Sequence, residues 1–224
     1  MKHIHPLEPI GVIVLIVILW YMRKKKAAEA GPAKGTAGRP GGPAGVERPA
    51  KQEQPPEAVY MNLRRRAIET NPETLGLPGE LKEQDAYGLL MEMAVPNSTV
   101  TLACFGNGEA NLYYRTGGGM VGGIAHENVR NAAKELVALA QKSLPLMTRT
   151  RDYPLPGPES VRFYALTPRG VLTTETERAL LAEPENELSA LFYSGQEVVS
   201  QMRQAQAEKS AAKAGTSAAL PASS

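Results

Sequence analysis

One uninterrupted apolar run near the N-terminus constrains the rest of the chain more than any other feature. It extends from Ile10 to Met22 (IGVIVLIVILWYM) and contains no charged residue. A helix of about 13 residues covers roughly 20 Å, whereas a full membrane span usually takes about 20 residues. Basic side chains that snorkel to the headgroups and a slightly thinner bilayer make up this difference. We therefore interpret residues 10–26 as a single transmembrane anchor with its basic flank.

The charges beside the apolar run predict its orientation. The sequence RKKK (23–26) follows the run directly, whereas Lys2 is the only lysine or arginine that precedes it. Basic residues are enriched on the cytoplasmic side of membrane helices. We therefore expect a cell-membrane protein with the short flank 1–9 outside and the C-terminal domain in the cytoplasm, with lipid contacts made through the anchor and its basic residues.

A cleaved signal peptide is the alternative interpretation of the N-terminus. Lys2 and the neighbouring histidines would form its basic region, and residues 28–30 (AEA) would form its small-residue cleavage site. Two features favour the anchor: RKKK directly after the apolar run is typical of a stop-transfer sequence, and Glu8 weakens the basic region. The inverted topology, with the domain outside the cell, also stays open.

Composition divides the rest of the chain into three parts. Residues 27–58 are rich in Ala, Gly and Pro without apolar periodicity, which predicts a flexible linker with a reach on the order of 30 Å. Residues 59–205 have the size of one globular domain. Residues 206–224 are rich in Ala, Ser and Lys, and we expect them to form a disordered tail.

Charge and composition exclude several classes of function. The net charge of +2 and the 5% aromatic content are too low for an extended nucleic-acid interface. Cys104 is the only cysteine, which rules out an internal disulfide and a cysteine-based zinc site. No residue pattern implies a cofactor or a metal.

Alternating side chains predict three consecutive strands in the first half of the domain. Apolar and other residues alternate over 86–95, 98–105 and 109–116, and a period of two is the pattern of a half-buried strand. Gly106-Asn107-Gly108 is a hairpin signal between the second and third of these strands. The sequence LLMEMA in the first strand also fits a helix.

The remaining elements complete an α+β domain. Helical spacing predicts a short helix over 59–70, a long amphipathic helix over 126–143 and a final helix over 188–202. Strands over 161–167 and 171–174 flank a Pro-Arg-Gly turn. We therefore expect a mostly antiparallel sheet of about five strands with packed helices.

A glycine-rich turn between the third strand and the long helix is the only motif-like feature. The first, third and sixth residues of 117–122 are glycines, which matches G-x-G-x-x-G, but the preceding strand belongs to a hairpin and no acidic residue follows at the end of a later strand. A structural turn, an anion or nucleotide site and a partner-contact loop are the three interpretations. The candidate ligand-binding residues are Gly117, Gly118, Gly119, Gly122, Gly123, Arg115 and Arg130.

No catalytic constellation is evident in the sequence. His126 lies at a helix start, and Cys104 shares a strand face with apolar residues, which predicts a buried inert thiol. An enzyme would need these residues, or Asp152, to meet in one pocket. The leading hypothesis is a binding domain that serves another protein as a scaffold or regulatory adaptor, and the alternative is an anion- or nucleotide-sensing domain.

Overall fold

The computed structural model describes residues 54–77, 79–183 and 185–218, with the backbone alone for 213–218. The predicted anchor and nearly all of the predicted linker lie outside these ranges. Within the described residues, no helix combines the length and the apolar content that a membrane crossing requires.

Seven strands form one antiparallel sheet in the described part of the chain. Their order across the sheet is β4-β3-β2-β1-β6-β7-β5, and every neighbouring pair is antiparallel. The strands are β1 (Gly88–Val95), β2 (Ser98–Phe105), β3 (Ala110–Tyr114), β4 (Gly119–Met120), β5 (Thr148–Thr150), β6 (Ser160–Thr167) and β7 (Gly170–Glu177). The α+β class with an antiparallel sheet is thus confirmed, but five strands were too few, because both edge strands are too short to show alternation.

Three α-helices pack on this sheet: α1 (Pro56–Ile68), α2 (Glu127–Ser143) and α3 (Ser189–Ala218). α1 begins at a proline, whose fixed φ suits the first turn of a helix. Its start therefore lies inside the segment predicted as linker. α3 continues to Ala218, whereas the sequence indicated a disordered tail from residue 206.

The helices cover the two faces of the sheet unequally. Leu89 and Met91 of β1 face the cluster formed with α2 and α3, whereas Leu90 faces the cluster under α1. All three side chains are fully buried. A strand that is buried on both faces does not alternate between apolar and polar residues. For this reason the sequence LLMEMA also fits a helix.

A close approach of α3 to the centre of the sheet depends on one glycine. A Cβ atom on Gly195 would lie 2.5 Å from Cε of Met91. The helix continues without a break through Ser194 and Gly195. The glycine therefore serves close packing of the helix on β1.

Candidate functional site

The glycine-rich turn connects β3 with α2 at one edge of the sheet. Gly117 and Gly118 have φ angles of +100° and +80°, which glycine adopts without steric cost. They reverse the chain so that Gly119 and Met120 pair with β3 as strand β4. Gly122 then precedes a 3-10 turn that leads into α2.

Close packing holds the second half of the turn in place. A Cβ atom on Gly119 would lie 2.3 Å from the carbonyl oxygen of Leu112, and one on Gly123 would lie 2.7 Å from Cγ1 of Val129. The backbone N–H of Gly122 donates to Oδ1 of the buried Asn111 at 3.3 Å. These contacts give the glycines a structural role and make the turn a preorganised surface feature.

Both arginines of the predicted site interact with other parts of the protein. Nε and Nη2 of Arg115 donate to Oε1 of Glu57 at 3.0 and 2.5 Å. Nη1 of Arg130 donates to the carbonyl oxygen of Ile124 at 3.1 Å. Arg115 is therefore paired with a carboxylate, whereas Arg130 uses one N–H group on a backbone carbonyl, and the anion or nucleotide site stays a prediction.

The turn presents apolar side chains to solvent. Val121 is 71% exposed and Ile124 is 40% exposed. Single exposed apolar residues are common on protein surfaces, but these two belong to one short segment that is held by its own glycines. Exposed apolar residues that form a larger patch mark contacts with other molecules, and this pair is a candidate for such a contact.

A polar groove begins at Ala125, the residue that follows Ile124. It has a volume of about 250 Å³ and lies between the N-terminal end of α2 and the middle of α3. His126 and Glu127 line it from α2, and Gln201, Gln204 and Glu208 line it from α3. An apolar centre with a polar rim is the usual arrangement of a protein–protein interface.

α1 supports the turn from the other side. Glu57 in its first turn forms the ion pair with Arg115, whose side chain is 40% exposed. A Cβ atom on Gly117 would lie 3.1 Å from Cβ of Pro56. The helix α1, which begins within the last residues of the predicted linker, therefore contacts the glycine-rich turn.

A buried ion pair lies under α1, at the centre of the sheet. Arg64 of α1 donates two hydrogen bonds to Glu92 of β1, Nε to Oε1 at 2.6 Å and Nη2 to Oε2 at 2.9 Å. Glu92 also accepts from Oγ1 of Thr101 at 3.1 Å, and that hydroxyl bonds to the Tyr60 hydroxyl at 2.7 Å. Burial raises the pKa of Glu92, and the bonds from Arg64 oppose that increase.

Arg64 also joins α1 to a third segment of the chain. It donates to the carbonyl oxygens of Tyr153 and Pro154 at 2.9 and 3.2 Å, and its guanidinium lies 5.5 Å from the centre of the Tyr164 ring. One side chain thus connects α1, β1 and the extended segment after β5. Because buried charges are expensive unless fully paired, this arrangement makes the position of α1 specific.

The sequence analysis missed this pair. The Arg64-Arg65-Arg66 run reads as a solvated helix face, and that interpretation is wrong for Arg64, which is 3% exposed. Helical spacing contained the signal: Arg64 lies one turn after Tyr60 and one turn before Ala67 and Ile68, which are all buried. No local pattern, however, links it to a carboxylate 28 residues away.

The residues considered for catalysis do not form a reactive site. Cys104 is fully buried on the sheet face that α2 and α3 cover, and burial raises the pKa of its thiol. Asp152 is exposed, and its neighbours contact Arg64 on the opposite, α1-covered side. Among the described residues, no group of three or more His, Cys, Asp or Glu side chains has the geometry of a metal site.

Comparison with known proteins does not assign this chain to a family. No protein-family model, curated protein or solved structure matches this chain. Its function must therefore be inferred from its own residues and their geometry. The glycine-rich turn with its exposed apolar pair is one candidate contact on the described surface.

Proposed function

We propose that this chain is a single-pass membrane protein whose cytoplasmic domain binds another protein and holds it near the membrane as a scaffold or regulatory adaptor. The observation that carries the proposal is the exposure of Val121 and Ile124, 71% and 40%, on one preorganised turn. Complete burial of an aliphatic side chain contributes about 1.5–3 kcal/mol. Burial of these two side chains against a partner therefore favours binding at this turn.

The rigidity of the turn supports binding. Ordering a flexible loop on association opposes binding by roughly 0.5–1.5 kcal/mol for each immobilised side chain. The packing of Gly119 against β3 and of Gly123 against α2 fixes the backbone before a partner arrives. The adjacent groove supplies hydrogen-bonding groups from α2 and α3 for the rim of the interface.

The N-terminal sequence supports the membrane part of the proposal. The apolar run 10–22 and the basic residues 23–26 anchor the chain, and the linker that follows tethers the domain within a short distance of the bilayer. Tethering raises the effective concentration of a bound partner at the membrane without any new contact. Binding at the turn and anchoring by the N-terminus together constitute the scaffold function.

Site-specific crosslinking in the native membrane tests the partner site. A photoreactive amino acid at Val121 of the full chain should capture one predominant protein, and Ile124→Ser should reduce this capture. The matched control carries the same probe at Leu180, which is 48% exposed elsewhere on the domain. Equal capture from both positions, or no capture at Val121, would refute the proposed site.

Cysteine labelling tests the topology separately. In a Cys104→Ala background, the exposed Ala211 is replaced by cysteine, and intact cells are treated with a membrane-impermeant maleimide. The proposal predicts labelling only after the membrane is permeabilised. Labelling of intact cells would place the domain outside, and recovery of the protein in the soluble fraction would refute the anchor.

A further inference from the structure

A second cavity lies at the opposite edge of the sheet from the glycine-rich turn. It is an open groove with a volume of about 400 Å³, and it is lined by the C-terminal end of α2, the edge strand β5, the turn between β6 and β7, and the loop before β1. Volumes of about 300–1,000 Å³ are typical of small-molecule sites. Because four separate segments build it, the cavity exists only in the folded domain.

Two arginines on the wall of this cavity have no acidic partner. Nη1 of Arg149 donates to the carbonyl oxygen of Arg169 at 2.7 Å, and the N–H of Arg169 donates to the carbonyl oxygen of Glu83 at 3.1 Å. These bonds connect three of the wall segments and hold the Arg149 side chain beside the β6–β7 turn. Neither guanidinium forms an ion pair within the described residues.

The remaining wall combines an amide donor with an apolar surface. Oε1 of Gln141 accepts from the N–H of Ala86 at 2.6 Å, and its Nε2 has no hydrogen bond to the described residues. Leu144, Pro145 and Leu172 provide the apolar part of the lining. A ligand that fits this wall carries an acceptor group at one end and an apolar body at the other.

Charge restricts the ligand further. Arg149 and Arg169 contribute two positive charges, and Glu83 contributes one negative charge. The C-terminal end of α2, which is part of the lining, adds a partial negative charge. One net positive charge favours a monoanion over a polyanion, and the anionic group must lie against the arginines.

We propose that this cavity binds a small organic carboxylate with an apolar body. The planar guanidinium groups of Arg149 and Arg169 match the geometry of a carboxylate, while Leu144, Pro145 and Leu172 cover the hydrocarbon part. Such a site is independent of the partner contact at the glycine-rich turn. It gives the domain a means to respond to a metabolite while it is tethered at the membrane.

Saturation-transfer NMR on the full chain in nanodiscs tests this site, with benzoate as the probe and benzamide as its neutral analogue of nearly the same shape. We expect saturable benzoate binding and at least about tenfold weaker binding of benzamide, since a hydrogen bond to a charged group is worth about a factor of ten or more. Acetate, which lacks the apolar body, should also bind more weakly.

Matched arginine variants connect binding to the cavity. Arg149→Gln and Arg169→Gln should each weaken benzoate binding about tenfold, whereas Arg151→Gln, an exposed position just after β5 and outside the cavity lining, should have no effect. Circular dichroism of each variant verifies the fold. Equal binding of benzoate and benzamide, unchanged binding in both cavity variants, or no saturable binding would overturn the proposal.

Discussion

Removal of Arg64 should destabilise the domain more than any other single arginine substitution in the described chain. In Arg64→Met the side chain keeps its bulk, but Glu92, which is fully buried, loses both of its bonds to the guanidinium and retains only the bond from Thr101. The carbonyl oxygens of Tyr153 and Pro154 lose their donors as well.

The magnitude follows from the burial of the pair. Removing one partner of a buried ion pair costs about 3–5 kcal/mol, because the other charge is left without compensation. A domain of this size is stable by about 5–15 kcal/mol. Arg64→Met should therefore remove at least about a fifth of the free energy of unfolding, and the effect should be visible as a large decrease in the denaturation midpoint.

A double replacement separates charge from packing. Arg64→Met combined with Glu92→Leu removes both buried charges and fills the space with apolar atoms, and such replacements are often close to neutral. We expect the double variant to be more stable than Arg64→Met alone. Arg65→Met, an exposed substitution on the same helix, is the control and should change stability by less than about 0.5 kcal/mol.

Urea denaturation of the full chain in mild detergent, followed by far-UV circular dichroism, provides the measurement. The change in the free energy of unfolding is compared for Arg64→Met, for Glu92→Leu and for the double variant in a mutant cycle. A loss of less than about 1 kcal/mol in Arg64→Met, or effects of Arg64→Met and Glu92→Leu that simply add, would refute the reasoning from the buried pair.

Three further results follow from the geometry of individual side chains. Gly119→Ala should destabilise the domain strongly, because its Cβ would lie 2.3 Å from a backbone oxygen, whereas Gly122→Ala meets open space at φ +82° and should cost only about 1–2 kcal/mol in urea denaturation; the reverse order would contradict the packing role. Burial raises the pKa of Tyr60 and of Tyr113 to about 12. Because an unfolded tyrosine ionises near pH 10, the folded state binds more protons between about pH 10 and 12, so the melting temperature should fall steeply there and tyrosinate absorbance at 295 nm should increase in a further step on unfolding. The Cys104 thiol should react with Ellman's reagent only after unfolding, and rapid reaction in the native protein would contradict its burial.

Local patterns in the sequence predicted most of the strands. The alternation over 98–105 matches the bounds of β2, and the Gly-Asn-Gly turn connects β2 to β3 as expected. These features could be predicted from the sequence because the alternation of a strand and the residue preferences of a hairpin turn involve only neighbouring residues. The same reasoning placed α2 within one residue of its observed start.

The short edge strands and the buried pair had no comparable local signal. β4 and β5 contain two and three residues, too few to display a period. β1 pairs with β6, which lies about 70 residues later, and Arg64 meets Glu92 only because α1 packs across that part of the sheet. Contacts between distant segments depend on topology, which periodicity does not encode.

The candidate site shows the same division. Sequence located the glycine-rich turn and its flanking arginines, since glycine content and charge are properties of single residues. Only the folded domain decided that Arg115 pairs with Glu57 and Arg130 bonds to the carbonyl oxygen of Ile124, that two glycines pack against neighbouring atoms, and that Val121 and Ile124 face solvent. The solvent exposure of a side chain and its hydrogen-bond partners depend on which residues surround it in the folded structure.

The sequence by itself determined the α+β class and the position of most regular elements, and it predicts a membrane tether, because apolar run length and periodicity act along the chain. The tertiary structure alone decided which face of each element is covered. It also placed Arg64, the first residue of an arginine run that looks solvated in the sequence, at the centre of a buried network. The physical reason is that burial and ion pairing are settled when distant segments pack together and exclude water from the groups between them.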